Sequence, residues 1–177
     1  MSAVAAPAVL ILAGDDYEDM ELWYPRLRLA EAGLRVHVAG DGAGHVHRGK
    51  HGYPCRCDGA ISEARSSDFH ALVIPGGWMP DKLRRDPRVL ALVREFHAAE
   101  KPIASICHGP WINISAGICR GFRMTGSPGV RDDVVNAGAV WEDAEVVVDR
   151  HIITSRRPSD LPAFCAALLD VLARRGD

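Results

Sequence analysis

The sequence predicts an α/β protein: a three-layer sandwich with a mainly parallel central sheet and helices on both faces. Three observations lead there. Short apolar runs end in tight turns, as Val9 to Ala13 before Gly14-Asp15-Asp16, Ala71 to Ile74 before Pro75-Gly76-Gly77, and Pro102 to Ile106 before Cys107-His108-Gly109. Between such runs lie stretches with apolar residues at helical spacing. The first strand, helix and strand form a β-α-β unit, the building block of a parallel sheet.

Taken in order, Ala3 to Ala13 is apolar with no positively charged start, and reads as a first strand rather than a signal peptide. Met20 to Ala32 carries Leu22, Trp23, Leu27, Leu29 and Ala30 at helical spacing, and Gly33 is a good stop. Val36 to Ala39 is the second strand. Gly40 to Ala60, rich in glycine and histidine, breaks the pattern and suggests a loop with short antiparallel strands. Leu83 to Ala99 is an amphipathic helix, and Ile112 to Ile118 continues a helix that begins at Pro110. Arg131 to Ala137 is a short helix. Val140 to Asp149 and Ile152 to Ser155 read as strands joined by a tight turn near Arg150-His151. Pro158 is placed to start a last helix that runs to the C-terminus.

The bulk numbers bound the function. A chain of 177 residues suits one domain with a full core, residues 1–177. Hydrophobic residues make up 47% and charged residues 25%, ordinary for a globular protein. A formal net charge of -2 gives no basic surplus for nucleic acid or an anionic membrane. No apolar run approaches transmembrane length. Five scattered cysteines, an odd number, fit a reducing cytoplasm better than a disulfide framework.

Ser105-Ile106-Cys107-His108-Gly109 is the most informative segment. A strand turning sharply into a helix exposes one residue at the strand's carboxyl end, the logic of a G-x-S-x-G nucleophile elbow with cysteine as nucleophile. A helix N-terminus favours a thiolate there, which leads us to expect a lowered Cys107 pKa. His108 stands beside it as a base or acid, though the sequence leaves open whether its ring reaches Cys107. A buried structural cysteine after a core strand fits the same pentapeptide. In a doubly wound sheet, sites lie beyond the carboxyl ends of strands. Glu18, Gly76-Gly77 and Cys107-His108 all follow strand ends, so they can converge.

Four segments together, Tyr17-Glu18-Asp19-Met20-Glu21-Leu22, Lys50-His51-Gly52-Tyr53, Ile74-Pro75-Gly76-Gly77 and Ala104-Ser105-Ile106-Cys107-His108-Gly109-Pro110, resemble the PfpI intracellular-protease branch of the ThiJ/PfpI superfamily. The later stretch from Asp132-Asp133 through Asn136 to Asp149 is similar to that branch as well. The resemblance runs in order over nearly the whole chain. It implies a flavodoxin-like sandwich related to class I glutamine amidotransferase domains, no cofactor, and homodimers or larger homo-oligomers. It also implies cysteine-dependent chemistry on peptides or small carbonyl compounds, as peptidase, glyoxalase or deglycase, in stress protection.

By the same resemblance Cys107 is the nucleophile, His108 the adjacent histidine, and Glu18 the carboxylic acid that hydrogen-bonds the sulfur. The N–H groups of Gly77 and His108 are oxyanion donors, next to Gly76. Asp81 stands where a glutamate from a neighbouring subunit pairs with the histidine. Trp78 replaces an expected basic residue, and Ser127 an expected aromatic, so both reshape the pocket mouth. Alternatively, Asp81 caps the helix after Pro80, Trp78 is a packing residue, and Glu18 simply favours a helix start.

Two other functions compete. An oxidisable Cys107 thiolate also suits a redox-sensing stress protein without turnover. An amidotransferase-like domain would need a remote histidine with a carboxylate, which an adjacent His108 fits poorly. His45, His47, His51, Cys55 and Cys57 invite a metal, but their spacings match no zinc-knuckle pattern, and no metal is assigned to them from the sequence.

Overall fold

The computed structural model describes residues 7–175. The start of the first apolar stretch, Ala3 to Ala6, lies outside the described residues, as do both ends of the expected domain.

Strand β1 (Ala8–Leu12) is buried along its whole length, as expected where both faces of a parallel sheet are covered. Helix α1 (Asp19–Glu31) returns the chain to β2 (Arg35–Gly40). The histidine-rich stretch forms a small hairpin, β3 (Val46–Arg48) against β4 (Pro54–Arg56), and then β5 (Gly59–Ala60) adds to the edge of the main sheet. Strand β6 (Ala71–Ile74) leads to α2 (Met79–Leu83) and α3 (Pro87–Ala98). The single helix expected over this region is broken, because Pro87 cannot continue a helix and Asp86 caps the new one by accepting the Arg88 N–H at 2.9 Å.

After β7 (Ile103–Ile106) come α4 (Pro110–Ala116), β8 (Arg123–Met124), α5 (Arg131–Asn136) and β9 (Val140–Trp141). β10 (Val146–Asp149), β11 (Ile152–Ser155) and α6 (Leu161–Ala173) complete the chain. The stretch expected as one strand from Val140 to Asp149 is two: β9 pairs with β8 outside the main sheet, and only β10 forms the hairpin with β11. Pro158 opens a short 3-10 turn, and α6 proper starts at Leu161.

The seven-stranded sheet has the order β10-β11-β7-β6-β1-β2-β5, and β10 alone runs antiparallel to its neighbour. One face carries Leu10, Leu72 and Ile103 against α3 and α4. The other carries Val9, Ile11 and Val73 against Leu22 and Leu29 of α1 and Phe164 and Leu168 of α6. This alternation is the strand's period of two shared between two helical layers. The fold is therefore the predicted three-layer, flavodoxin-like sandwich. Strand order reverses where β1 sits between β2 and β6, and that switch point opens a crevice at the carboxyl ends.

Candidate active site

Strand β7 ends at Ile106 and α4 starts at Pro110, so three residues must reverse the chain. Cys107 takes up the bend with φ +60, a left-handed conformation costly for a side chain and typical of residues held for function. Its N–H donates to Ser155 O at 3.0 Å and its carbonyl accepts the Ser127 N–H at 2.9 Å. Ser127 thus serves the elbow through its backbone. Gly109 lets the bend sit against β6, since a Cβ there would lie 2.6 Å from Ile74 O.

The loops after β1 and β6 meet this elbow. Gly77, at φ +78, bridges Tyr17, and a Cβ on it would lie 2.4 Å from Asp16 O. That bare backbone lets the Gly77 N–H reach Cys107, and the His108 N–H joins it. Both expected oxyanion donors are aimed at the sulfur. Gly76 N–H donates to Glu21 Oε2 at 2.8 Å. A Cβ on Gly76 would collide with both Glu21 and Cys107.

The carboxyl beside the sulfur is Glu21, and the assignment to Glu18 is corrected here. Glu21 lies in the first turn of α1, is 0% exposed, and is close enough to Cys107 that each group shifts the other's pKa. Its Oε1 is buried with no hydrogen-bond partner. Glu18 precedes the helix and turns to the hairpin loop, where Lys50 Nζ binds its Oε2 at 2.5 Å. Burial pushes the Glu21 carboxyl up to about 8, with the negative charge of Glu18 adding to it. Glu21 is therefore protonated at neutral pH and can donate to sulfur.

Burial also pushes the Cys107 thiol up, to about 12, and an ionised Glu21 contributes; the Gly77 and His108 N–H groups act the other way. The expected lowering by the helix N-terminus is thus outweighed by desolvation in the resting chain. His108 meets this need. Its Nδ1 stands 3.2 Å from Sγ, so the ring does reach back to Cys107. Burial, and then the Lys50 ammonium, push the His108 pKa down, leaving a neutral imidazole free to take the thiol proton.

Trp78 is 58% exposed, so it is no core residue. Its ring lies 5.7 Å from His108, which also stacks near Trp111 at 4.8 Å. The two indoles flank the histidine. Asp81 sits in the first turn of α2 and pairs with Arg85, and α2 has no side-chain cap. The capping role is therefore corrected, and within the chain Asp81 does not join the groups facing Cys107. Sequence reasoning missed Glu21 and Lys50 as site residues. Both lay inside the segments that carry the resemblance, and Glu21 shares the buried side of α1 with Leu22, Pro25 and Leu29. A glutamate on the apolar side of an amphipathic helix was the available signal.

A surface hollow of about 710 Å³ lies next to the site, lined by Glu18, Met20, Trp23, Leu27, His51 and Tyr53. Met20, Leu27 and Tyr53 are exposed large apolar side chains. Among the described residues no helix is long and apolar enough to cross a membrane.

Comparison with known proteins identifies the family. The model of the DJ-1/PfpI family matches residues 7–171. A deglycase of Pyrococcus abyssi is 47% identical over 93% of this chain and 98% of its own length. The deglycase PfpI of Pyrococcus furiosus is 42% identical over the same shares. YraA of Bacillus subtilis, whose name gives cysteine protease as a provisional assignment, is 43% identical over 93% of this chain and 97% of its own. Among solved structures, DJ-1beta of Drosophila melanogaster superposes with a TM-score of 0.89 at 26% identity, covering 95% and 91% of the two chains. A two-domain protein of Anabaena variabilis with DJ-1/ThiJ/PfpI-like and ferritin-like domains superposes at 0.92 with 40% identity. The present chain covers 94% of itself and 48% of that longer protein.

Proposed function

The chain belongs to the DJ-1/PfpI family, and from that premise we propose that it is an enzyme in which Cys107 attacks small carbonyl compounds, in the manner of the relatives named deglycases. The observation that carries this is the convergence on one sulfur of the Gly77 and His108 N–H groups, the protonated Glu21 carboxyl, and a neutral His108 ring at 3.2 Å. In the first step sulfur bonds to the aldehyde carbon and the carbonyl π pair moves to oxygen. His108 takes the thiol proton, and the developing oxyanion is held by the two N–H groups. Return of that proton to oxygen gives a hemithioacetal. With a dicarbonyl, His108 or Glu21 is then placed to move a proton between adjacent carbons.

Peptide hydrolysis shares the nucleophile but also needs a proton for the amine leaving group and a route for water. The chain's own Asp81 is engaged with Arg85, which favours the small-carbonyl reading. We place the protein in a homo-oligomer, because the exposed Met20, Leu27 and Tyr53 surround a hollow at the rim of the site. Turnover of methylglyoxal and of a fluorogenic peptide by the wild type and Cys107→Ser tests the proposal. We expect Cys107-dependent loss of methylglyoxal and little peptide cleavage.

A redox-sensing role is the second reading. Cys107 is the one half-buried cysteine, while Cys55, Cys57, Cys119 and Cys165 are buried. Selective peroxide oxidation of Cys107 without turnover of any carbonyl or amide would favour it.

A further inference from the structure

Away from Cys107, the loop after β2 and the first strand of the hairpin bring three potential ligands together. They are one carboxylate oxygen of Asp41 and ring nitrogens of His45 and His47, all within 4.8 Å of one another. His45 Nε2 lies 3.7 Å from Asp41 Oδ2, and His47 Nε2 lies 3.8 Å from the same oxygen. Asp41 and His45 are exposed, so neither is costly to leave in water. His47 is different. It is 3% exposed, and its Nε2 is buried with no hydrogen-bond partner. A buried ring nitrogen without a partner carries an unpaid desolvation cost unless something fills the space it faces.

The other side of that ring is already arranged. His47 Nδ1 is 3.1 Å from Asp15 Oδ1, and the same oxygen accepts the Arg48 N–H at 3.1 Å. A carboxylate on Nδ1 fixes the tautomer that leaves Nε2 as a lone-pair donor, as in carboxylate–histidine–metal arrangements. The backbone beside Nε2 is also bare. A Cβ on Gly40 would lie 2.6 Å from His47 Nε2, so only glycine leaves that space open.

We propose that Asp41, His45 and His47 form a site for a divalent transition-metal ion of the zinc class, with Asp15 orienting His47 from behind and solvent in the remaining position. Zinc–nitrogen and zinc–oxygen bonds of ~2.0–2.1 Å set tetrahedral ligand separations of about 3.3 Å. The observed 3.7 and 3.8 Å need a closure of about half an ångström, and the His45–His47 pair, within 4.8 Å, up to about 1.5 Å, which rotation of the exposed Asp41 and His45 side chains can supply while His47 stays fixed. A bound ion would tie the end of β2 to the hairpin whose loop carries Lys50. Two histidines with one carboxylate suit zinc-class ions better than magnesium or calcium, which prefer all-oxygen shells.

The test uses the full chain without an affinity tag, stripped by chelator and titrated with Zn²⁺ by calorimetry and with Co²⁺ by visible absorption. We expect one equivalent of Zn²⁺, a four-coordinate Co²⁺ spectrum, and a higher Tm with Zn²⁺. Asp41→Asn and His45→Ala, both at exposed positions, should each weaken binding at least tenfold and remove the Tm gain. Asp15→Asn should weaken it by about 10- to 100-fold. Cys107→Ser and His51→Ala should bind as the wild type does. Wild-type affinity in Asp41→Asn and His45→Ala, loss of binding in Cys107→Ser, or no binding at micromolar protein would overturn the proposal.

Discussion

At the scale of single residues, the chemistry depends on which carboxyl faces the sulfur and whether it holds a proton. Glu21→Gln is a close mimic of protonated Glu21, since its amide can accept the Gly76 N–H and donate to Cys107. It should keep methylglyoxal turnover and iodoacetamide labelling of Cys107 within about threefold, whereas Glu21→Leu should lower both by roughly 100-fold, the scale of a lost transition-state donor. Glu18→Gln should change turnover only a few-fold. A larger loss in Glu18→Gln than in Glu21→Leu would reverse our assignment. The pH profile follows from the same groups. Activity needs neutral His108 and protonated Glu21, so it should fall on the alkaline side as Glu21 ionises near pH about 8. Glu21→Gln should remove that alkaline limb. Lys50 disfavours the charged form of His108, so Lys50→Met should raise the His108 pKa and move the acid limb to higher pH. An unmoved acid limb would mean that another group sets it.

At the scale of elements, the site is made by turns at three strand ends. Gly77 after β6 is the tightest of them. Gly77→Ala places a Cβ 2.4 Å from Asp16 O at a positive φ, so it should lower stability by about 1–3 kcal/mol and turnover by 100-fold or more. Thermal melts and steady-state rates read the two effects separately, and normal turnover would show that the Gly77 N–H is no oxyanion donor. Helix α2 offers a second test. The Asp81–Arg85 pair is a half-exposed i,i+4 contact, worth no more than about 0.5 kcal/mol, so Asp81→Ala should scarcely move Tm. We expect Asp81→Glu, which reaches one methylene further, to raise peptide cleavage if that carboxylate meets a neighbouring subunit's His108. Equal peptide rates for Asp81→Glu and Asp81→Ala would remove Asp81 from catalysis.

At the scale of the whole molecule, two buried titratable groups pull stability in opposite directions. Glu21 has a folded pKa raised to about 8. Its contribution is fully present below the unfolded carboxyl value of ~4.3 and is lost as pH rises through about 8. His151 is buried at the opposite, amino end of the sheet, with Nε2 2.9 Å from His97 Nδ1. Burial, then His97, push its pKa down to about 4. Its contribution is present above the unfolded value of ~6.5 and is lost as pH falls through about 4. Melting temperature against pH should therefore form a dome. Glu21→Gln should flatten the alkaline slope and His151→Phe the acid slope. Slopes unchanged in both variants would mean that neither group carries the linkage. Sedimentation at micromolar concentration should give a species heavier than the 19.2 kDa chain; a monomer would contradict the assembly we place around Met20, Leu27 and Tyr53.

By itself the sequence determined the layer architecture, because buried parallel strands and amphipathic helices write their periods directly into the order of apolar residues. It also placed a sharp strand-to-helix turn at Cys107 and glycines at the end of β6, since these follow from local sequence, while the roles of Gly77 and His108 as donors came from the family resemblance and the exposure of Trp78 from the structure. Only the tertiary structure decided which glutamate meets the sulfur. Glu18 and Glu21 lie less than one helical turn apart, and a rotation of α1 on the sheet turns one inward and the other toward Lys50 on the hairpin. The same holds for the break at Pro87, the divided strand before Trp141, and the meeting of Asp15 and Asp41 with His47. Each depends on contacts between residues distant in the chain, and periodicity records how a segment faces its core without recording what waits there.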